Sequence, residues 1–376
     1  MSTIYLNGKF TAQATTGVQR TAACLVEALD RRLAAAPEAA HDRWVLLCPP
    51  TGALPPLRRI ECRRVGTARG GLHLWEQLEL PRAARDGLLV NLAGSAPLLG
   101  RRQVCTFHDA AVFDRPDAYT AAFSSWYRFA FRRLARSAEL LLTVSAFSRE
   151  RLADALPAAR GRLAVVANGA EHLVRRATDA SVLGRLGVEP QRYLLAVGSA
   201  NPTKNFAALA QAFAGVAARA SLHLVIVGAA RRTVFAAGGQ QSTANPRIVY
   251  AGAVSDAQLK ALYTNALALV FPSTYEGFGL PPLEAMGCGC PVAASNAAAV
   301  PEVCGDAALY FDPHSPASIG EALQRLVDEP ALRERLRERG RSRAAAFTWD
   351  KAAGALLAAL GTRGLIAVPA TALVPC

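Results

Sequence analysis

The 376-residue chain lacks a basic amino-terminal stretch followed by an apolar run of seven or more, so MSTIYLNGKF predicts no secretory signal and a cytosolic location. It also lacks an uninterrupted apolar run of about 20 residues. The apolar tail Ala352 to Cys376 is broken by Arg363, two nearby glycines and Pro369, which predicts a docked terminal helix and a loose end. Eight cysteines (24, 48, 62, 105, 288, 290, 304 and 376) occur without C-x-x-C spacing or adjacent histidine pairs, so zinc is not expected and reduced core thiols are. Cys288 and Cys290 sit beside glycines in a turn where oxidation is open to them, with packing the favoured role. No G-x-G-x-x-G follows the first strand of either half, which argues against a nicotinamide-dependent oxidoreductase. Acidic residues are the scarce charge: 29 Asp+Glu against 42 Lys+Arg leave +13. Such an excess suits nucleic acid, anionic lipid or a phosphorylated substrate, and an arginine-rich, GC-rich coding bias explains it equally well.

What is present is a folding composition, 52% hydrophobic and 19% charged, without a disorder-like charge excess or a strict repeat. A chain of this length exceeds the roughly 250–300 residues at which single cores stop growing, so two domains are expected. Short Leu/Val-rich runs alternate with longer amphipathic stretches throughout, the pattern of βα units and parallel sheets. Strands are predicted near Thr3, Trp44, Leu88, Val104, Leu140 and Leu163 in the first half. In the second they fall near Tyr193, His223, Ile248, Ala268, Pro291 and Ala308. Helices are predicted at 18–35, 119–136, 206–217, 256–264 and 316–327. Each half therefore reads as a Rossmann-like, doubly wound α/β sheet, and the polar stretch Glu171 to Gln191 reads as the boundary. The domains are placed at 1–180, with about 351–376 returning to it, and at 181–350. A hinge there leaves a cleft at the C-terminal edges of the strands, where such folds bind ligands.

Within 119–136, Trp126, Tyr127, Phe129 and Phe131 interleave with Arg128, Arg132, Arg133 and Arg136. Aromatics beside arginines suit an anionic membrane surface, and equally a helix with one buried face. Nucleic acid is disfavoured, because no recognised binding module accompanies the charge.

The densest chemical signal runs from Phe271 through Glu276-Gly277-Phe278-Gly279-Leu280-Pro281-Pro282 to Glu284 and Gly287. A strand ends at Phe271, a glycine-containing turn follows, and a proline fits the first turn of a helix. The N–H groups from Gly277 to Leu280 then meet an anionic phosphate at a helix N-terminus. Glu284 is placed to reach a ribose diol and Glu276 to hold sugar hydroxyls, since a carboxylate accepts two hydrogen bonds from a diol. Taken singly, Glu284 is equally a complement to the helix dipole and Glu276 a solvated loop residue.

That string closely resembles the Glu-x7-Glu motif of the retaining glycosyltransferases of family 4, which have the GT-B fold. In chain order the resemblance also takes in Thr16-Gly17-Val18-Gln19-Arg20, Thr106-Phe107-His108-Asp109, Val144-Ser145-Ala146-Phe147-Ser148, Asn168-Gly169, Val197-Gly198, Pro202-Thr203-Lys204-Asn205 and Phe347-Thr348-Trp349. It implies two Rossmann-like domains facing a cleft, with a C-terminal helix packing back on the N-terminal, acceptor-binding domain.

By the same resemblance, Lys204 neutralises the donor diphosphate, a charge the reaction needs because the leaving group gains negative charge in the transition state. His108 contacts the transferred sugar near the reacting carbon, and Gly17 lets the backbone approach donor phosphate or acceptor. A structural histidine and a turn glycine are the plainer alternatives, as are a turn-capping Asp109 and an αL turn at Asn168 and Gly169. Ser199 departs from the pattern, standing where some members carry arginine, and Thr203 stands where arginine or histidine is frequent. Diphosphate binding then leans on Ser199, Lys204 and the helix N-terminus, with Arg231 or Arg232 as further cations. The chain has no Asp-x-Asp triplet, and neither metal nor other cofactor is implied. The donor, a nucleotide sugar, enters as substrate: GDP-mannose first, then UDP-hexose or a dTDP-deoxysugar. The resemblance further implies front-face attack and a lipid-linked or soluble glycan acceptor in cell-surface polysaccharide synthesis, at the inner face of the cytoplasmic membrane. A nucleotide-sugar epimerase on the same fold, and a basic module for nucleic acid or glycan, are the competing readings.

Overall fold

The structure is a computed structural model that describes residues 2–35, 42–228 and 245–367; Arg231, Arg232 and Cys376 lie outside them. The chain divides into two compact units. One comprises Met1–Ala110, Trp126–Gly169 and Thr348–Cys376, the other Ala111–Ser125 and Ala170–Phe347. The expected boundary at 180 thus falls at 169/170, the expected return at 351 falls at 348, and a further segment, 111–125, joins the second unit. The polar stretch read as the boundary carries the short helices Glu171–Val174 and Ser181–Leu186.

The first unit is built on seven strands: β1 (Thr3–Asn7), β2 (Arg43–Cys48), β3 (Glu61–Arg64), β4 (Leu88–Asn91), β5 (Gln103–Thr106), β6 (Leu140–Thr143) and β7 (Leu163–Val165). They pair in parallel in the order β3-β2-β1-β4-β5-β6-β7. Strands β4, β5 and β6 are buried at every position, as parallel strands covered on both faces must be. β3, with the sequence ECRR, was not expected; it lies at the sheet edge with both ends exposed, where charge discourages further pairing.

The second unit carries β8 (Tyr193–Val197), β9 (His223–Val227), β10 (Ile248–Gly252), β11 (Ala268–Phe271), β12 (Val292–Ser295) and β13 (Leu309–Phe311), all parallel, in the order β10-β9-β8-β11-β12-β13. In both sheets the order reverses beside the first strand, at β1/β4 and at β8/β11. Open α/β sheets leave a crevice for ligands outside the carboxyl ends of the strands at such a reversal.

Helix starts are locally encoded. Ser255 and Gln258 close a capping box on Asp256–Asn265, Ser145 accepts from Ser148 N–H, and Thr348 accepts from Lys351 N–H. The last of these opens Trp349–Thr362, which drives Trp349, Ala353, Leu356 and Leu360 into the core of the first unit beside Leu25 and Leu29 of the helix Gly17–Ala35. A two-pronged Arg32–Asp350 pair, 2.7 and 2.8 Å, ties the two helices at the surface. The terminal helix therefore docks on the amino-terminal sheet, as expected. Cys48, Cys105, Cys290 and Cys304 are buried thiols outside any disulfide.

Candidate active site

At the reversal in the second sheet, the loops leaving β8 and β11 are laced together. Asn201 caps the 3-10 turn Pro202–Lys204, and Asn205, at φ +56°, redirects the chain into the helix Phe206–Ala220. Its side-chain amide donates to the carbonyls of Pro272 and Pro313, and Thr274 N–H donates to Thr203 O at 2.8 Å. The result is an ion pair between Lys204 Nζ and Glu276 Oε1 at 2.5 Å, both largely shielded, with the ammonium 5.7 Å from the Phe271 ring centre. The two residues, 72 apart in sequence, are thus brought together. A β-carbon on Gly198 would stand 3.2 Å from the lysine stem and from the Phe206 ring, a tight fit. Ser199 follows, exposed to solvent.

Past Glu276, Gly279 at φ +100° turns the chain into the helix Leu280–Gly287, with prolines in the first turn as expected. Gly277, Phe278, Gly279 and Leu280 are all buried. Phe278 packs edge-on against Phe347.

Glu284 is a buried carboxylate in the early turns of that helix. It is 4% exposed, and its two oxygens accept from His172 Nε2 at 3.0 Å and Tyr263 OH at 3.1 Å. Burial, then the carboxylate beside it, pushes the Tyr263 phenol well up, so it stays a donor. These bonds leave only the remaining lone pairs of Glu284 open to a further donor.

Two further features escaped the sequence reading. Arg115 Nη1 donates to Thr274 Oγ1 and Tyr275 OH to Asp114 Oδ2, so the segment 111–125 braces the loop that carries Glu276. Among the described residues, the Ser273 hydroxyl, 1% exposed in the same loop, has no hydrogen-bond partner. An orphaned buried hydroxyl costs about 1–3 kcal/mol.

In the first unit, His108 follows β5, and its Nε2 lies 3.0 Å from Leu92 O. That contact requires the proton on Nε2 and leaves Nδ1 as acceptor. Burial pushes the imidazole down to about 4, so it is neutral at physiological pH. Its ring and Val18 both border Gly94, which sits at φ +74°. Gly17, the residue before Val18, opens the first helix, and a β-carbon there would meet nothing within 4 Å. Neither crowding nor backbone angle demands this glycine. Gly169 differs from the αL reading: its φ is not positive, and glycine is required because a β-carbon would stand 2.3 Å from Trp349 N.

A buried polar network lies under the same sheet edge. Lys9 pairs with Glu76 at 2.7 Å, and Ser95 and Asn7 donate to the other oxygen of Glu76. Among the described residues, no three His, Cys, Asp or Glu side chains gather as metal ligands do.

Residues 15–172 match the sequence profile "Glycosyltransferase Family 4", and residues 185–343 match "Glycosyl transferases group 1". O-antigen chain mannosyltransferase B of Escherichia coli is 33% identical over 66% of this chain and 67% of its own length. O-antigen chain mannosyltransferase RfbU of Salmonella typhimurium is 30% identical over 62% of this chain and 63% of its own. Among solved structures, HepE of Anabaena, in complex with UDP and glucose, superposes with a TM-score of 0.72 at 18% identity over 96% of this chain and 100% of that one. Taken with two parallel sheets whose strand order each reverses beside the first strand, these matches establish that the chain belongs to the family 4 glycosyltransferases of GT-B fold.

Proposed function

We propose that this glycosyltransferase moves a hexose, mannose before others, from a nucleoside-diphosphate donor to a glycan acceptor, with retention of configuration and without a metal. The observation that carries the reading is the Lys204–Glu276 pair beside the Gly277–Leu280 turn, at the reversal of the second sheet. A diphosphate arriving there meets the Lys204 ammonium, Ser199 and the N–H groups of a helix start, while Glu276 turns to sugar hydroxyls. Glu284 backs the ribose through its remaining lone pairs. In the first unit, His108 offers Nδ1 to a hydroxyl of the transferred sugar, and Gly17 leaves room for phosphate or acceptor. The bond from the anomeric carbon to the diphosphate breaks as the acceptor oxygen bonds on the same face. The acceptor's proton passes to the departing diphosphate.

Mannose is favoured because two relatives carry mannosyltransferase names, and UDP-hexose follows because HepE is seen with UDP and glucose. The acceptor is proposed to be a growing glycan on a lipid at the cytoplasmic membrane. The helix Ala121–Ser137 supports docking there, since it exposes Trp126 (48%) and Phe129 (56%) on a face continued by exposed Arg132 and Arg136.

The test is transfer from GDP-mannose, UDP-glucose and a dTDP-deoxysugar, with the product's anomeric configuration read by NMR. Lys204→Ala and Glu276→Ala are each expected to cut turnover more than about a hundredfold, roughly 2.7 kcal/mol. Near-normal turnover by a folded variant removes that residue from the site, and donor conversion without acceptor turns the reading to an epimerase.

A further inference from the structure

We propose that the buried Lys9–Glu76 ion pair and Ser95 are positioning residues for His108: they fix the turn whose backbone holds the imidazole with its proton on Nε2 and Nδ1 as acceptor. The proposal names what sets the histidine, and it rests on the transferase reading only for the histidine's part in transfer.

The turn is the stretch 92–95 that leaves β4. Leu92 O lies 3.0 Å from His108 Nε2, and Gly94, at φ +74°, borders the same ring: a β-carbon on it would stand 3.5 Å from Cδ2. Which imidazole nitrogen carries the proton is set by the partner the ring is given. The carbonyl selects the Nε2–H form only while Leu92 keeps its place.

Both ends of that stretch are pinned by one cluster. Before it, Asn91 Oδ1 accepts from Asn7 Nδ2 at 2.9 Å, and Asn91 Nδ2 donates to Val104 O at 3.1 Å. After it, the Ser95 hydroxyl donates to Glu76 Oε1 at 2.7 Å and accepts from Lys9 Nζ at 3.3 Å. Asn7 closes the circuit, its Nδ2 reaching Glu76 Oε1 at 3.0 Å and its Oδ1 accepting from Lys9 N–H at 3.0 Å. Glu76 comes from the π-helical turn Trp75–Glu79, anchored by the Trp75 indole donating to Val65 O at 2.9 Å. Gln77 of the same turn holds the chain just beyond Ser95, donating to Ala96 O at 3.0 Å and accepting from Leu98 N–H at 2.9 Å.

Stability alone is a poor reason for this arrangement. The Lys9 and Glu76 side chains are 3% and 1% exposed, and apolar side chains of similar volume generally stabilise such a place as well as a buried ion pair does. What the pair supplies is direction: its hydrogen bonds hold Ser95 to one position, where apolar contacts would let the turn slide. Single π turns within helices, moreover, are frequent at functional sites.

The test reads the His108 Nε2–H proton by NMR of protein carrying isotope-labelled histidine, with His108→Gln identifying the signal, alongside turnover from GDP-mannose. Wild-type protein is expected to show this proton as a slowly exchanging signal. Ser95→Ala removes one hydroxyl from a half-buried turn. It is expected to lose the signal to exchange and to lower kcat about tenfold, with the donor KM unchanged. Ser95→Thr, which keeps the hydroxyl, is expected to restore both. Lys9→Met/Glu76→Leu, which replaces the pair by apolar side chains of similar size, is expected to melt near the wild-type temperature and to fail in the same two readouts. A wild-type signal in folded Ser95→Ala overturns the proposal, whatever becomes of the double variant. A lost signal with turnover intact leaves the positioning in place and removes His108 from the transfer.

Discussion

At residue scale, His108 illustrates how burial sets chemistry. Folding holds its pKa near 4 against an ordinary 6.5. Between those values the unfolded chain binds a proton the folded chain refuses, so stability falls as pH drops from about 6.5 toward 4. His108→Gln is expected to flatten that decline, which melting temperatures measured across the interval for both proteins will show; parallel curves mean that the imidazole titrates normally. Lys204 and Glu276 were legible because each sits in a short string with its own turn chemistry, and the lacing of two loops at a strand reversal then sets them 2.5 Å apart. Glu284 was legible as a glutamate in a helix, but its state was not. Its partners Tyr263 and His172 lie 21 and 112 residues away, and no local pattern announces contacts over such separations.

At the scale of elements, the buried strands were the readable part, because a parallel strand covered on both faces is a continuous apolar run whatever its neighbours. The elements that escaped share a cause. β3 is charged because it closes an edge, and the helix Pro330–Ala345 buries only a narrow stripe of Leu332, Leu336, Gly340 and Ala344 beneath its arginines. Glu171–Val174 hides in a polar stretch because its business is to present His172 to Glu284. The helix Trp349–Thr362 is the element whose loss the first unit should feel most. Leu356 is fully buried among Leu25, Leu29 and their neighbours, and Leu356→Ala is expected to cost about 2–5 kcal/mol. Chemical denaturation will measure it, and a cost below about 1 kcal/mol would mean that this helix contributes little to the core.

At the scale of the whole molecule, among the described residues no helix is long and apolar enough to cross a membrane. The proposed attachment to a membrane surface draws on the +13 charge and the exposed aromatics of Ala121–Ser137. Co-sedimentation with anionic vesicles is expected at low salt, with release at high salt as screening shortens to a few ångströms, and Trp126→Ser/Phe129→Ser should weaken it severalfold. Indifference to vesicles in both conditions counts against attachment.

The chain changes unit at 110/111, 125/126, 169/170 and 347/348. No single cut therefore separates the halves. A fragment ending at 169 would carry 111–125 without Thr274 and Tyr275 to hold it, and would lack the helix that completes its own interior. Grafting one lobe of this chain onto a relative to trade donor or acceptor preference must move all of a unit's segments at once, and evolution faces the same constraint when it shuffles the halves of such enzymes.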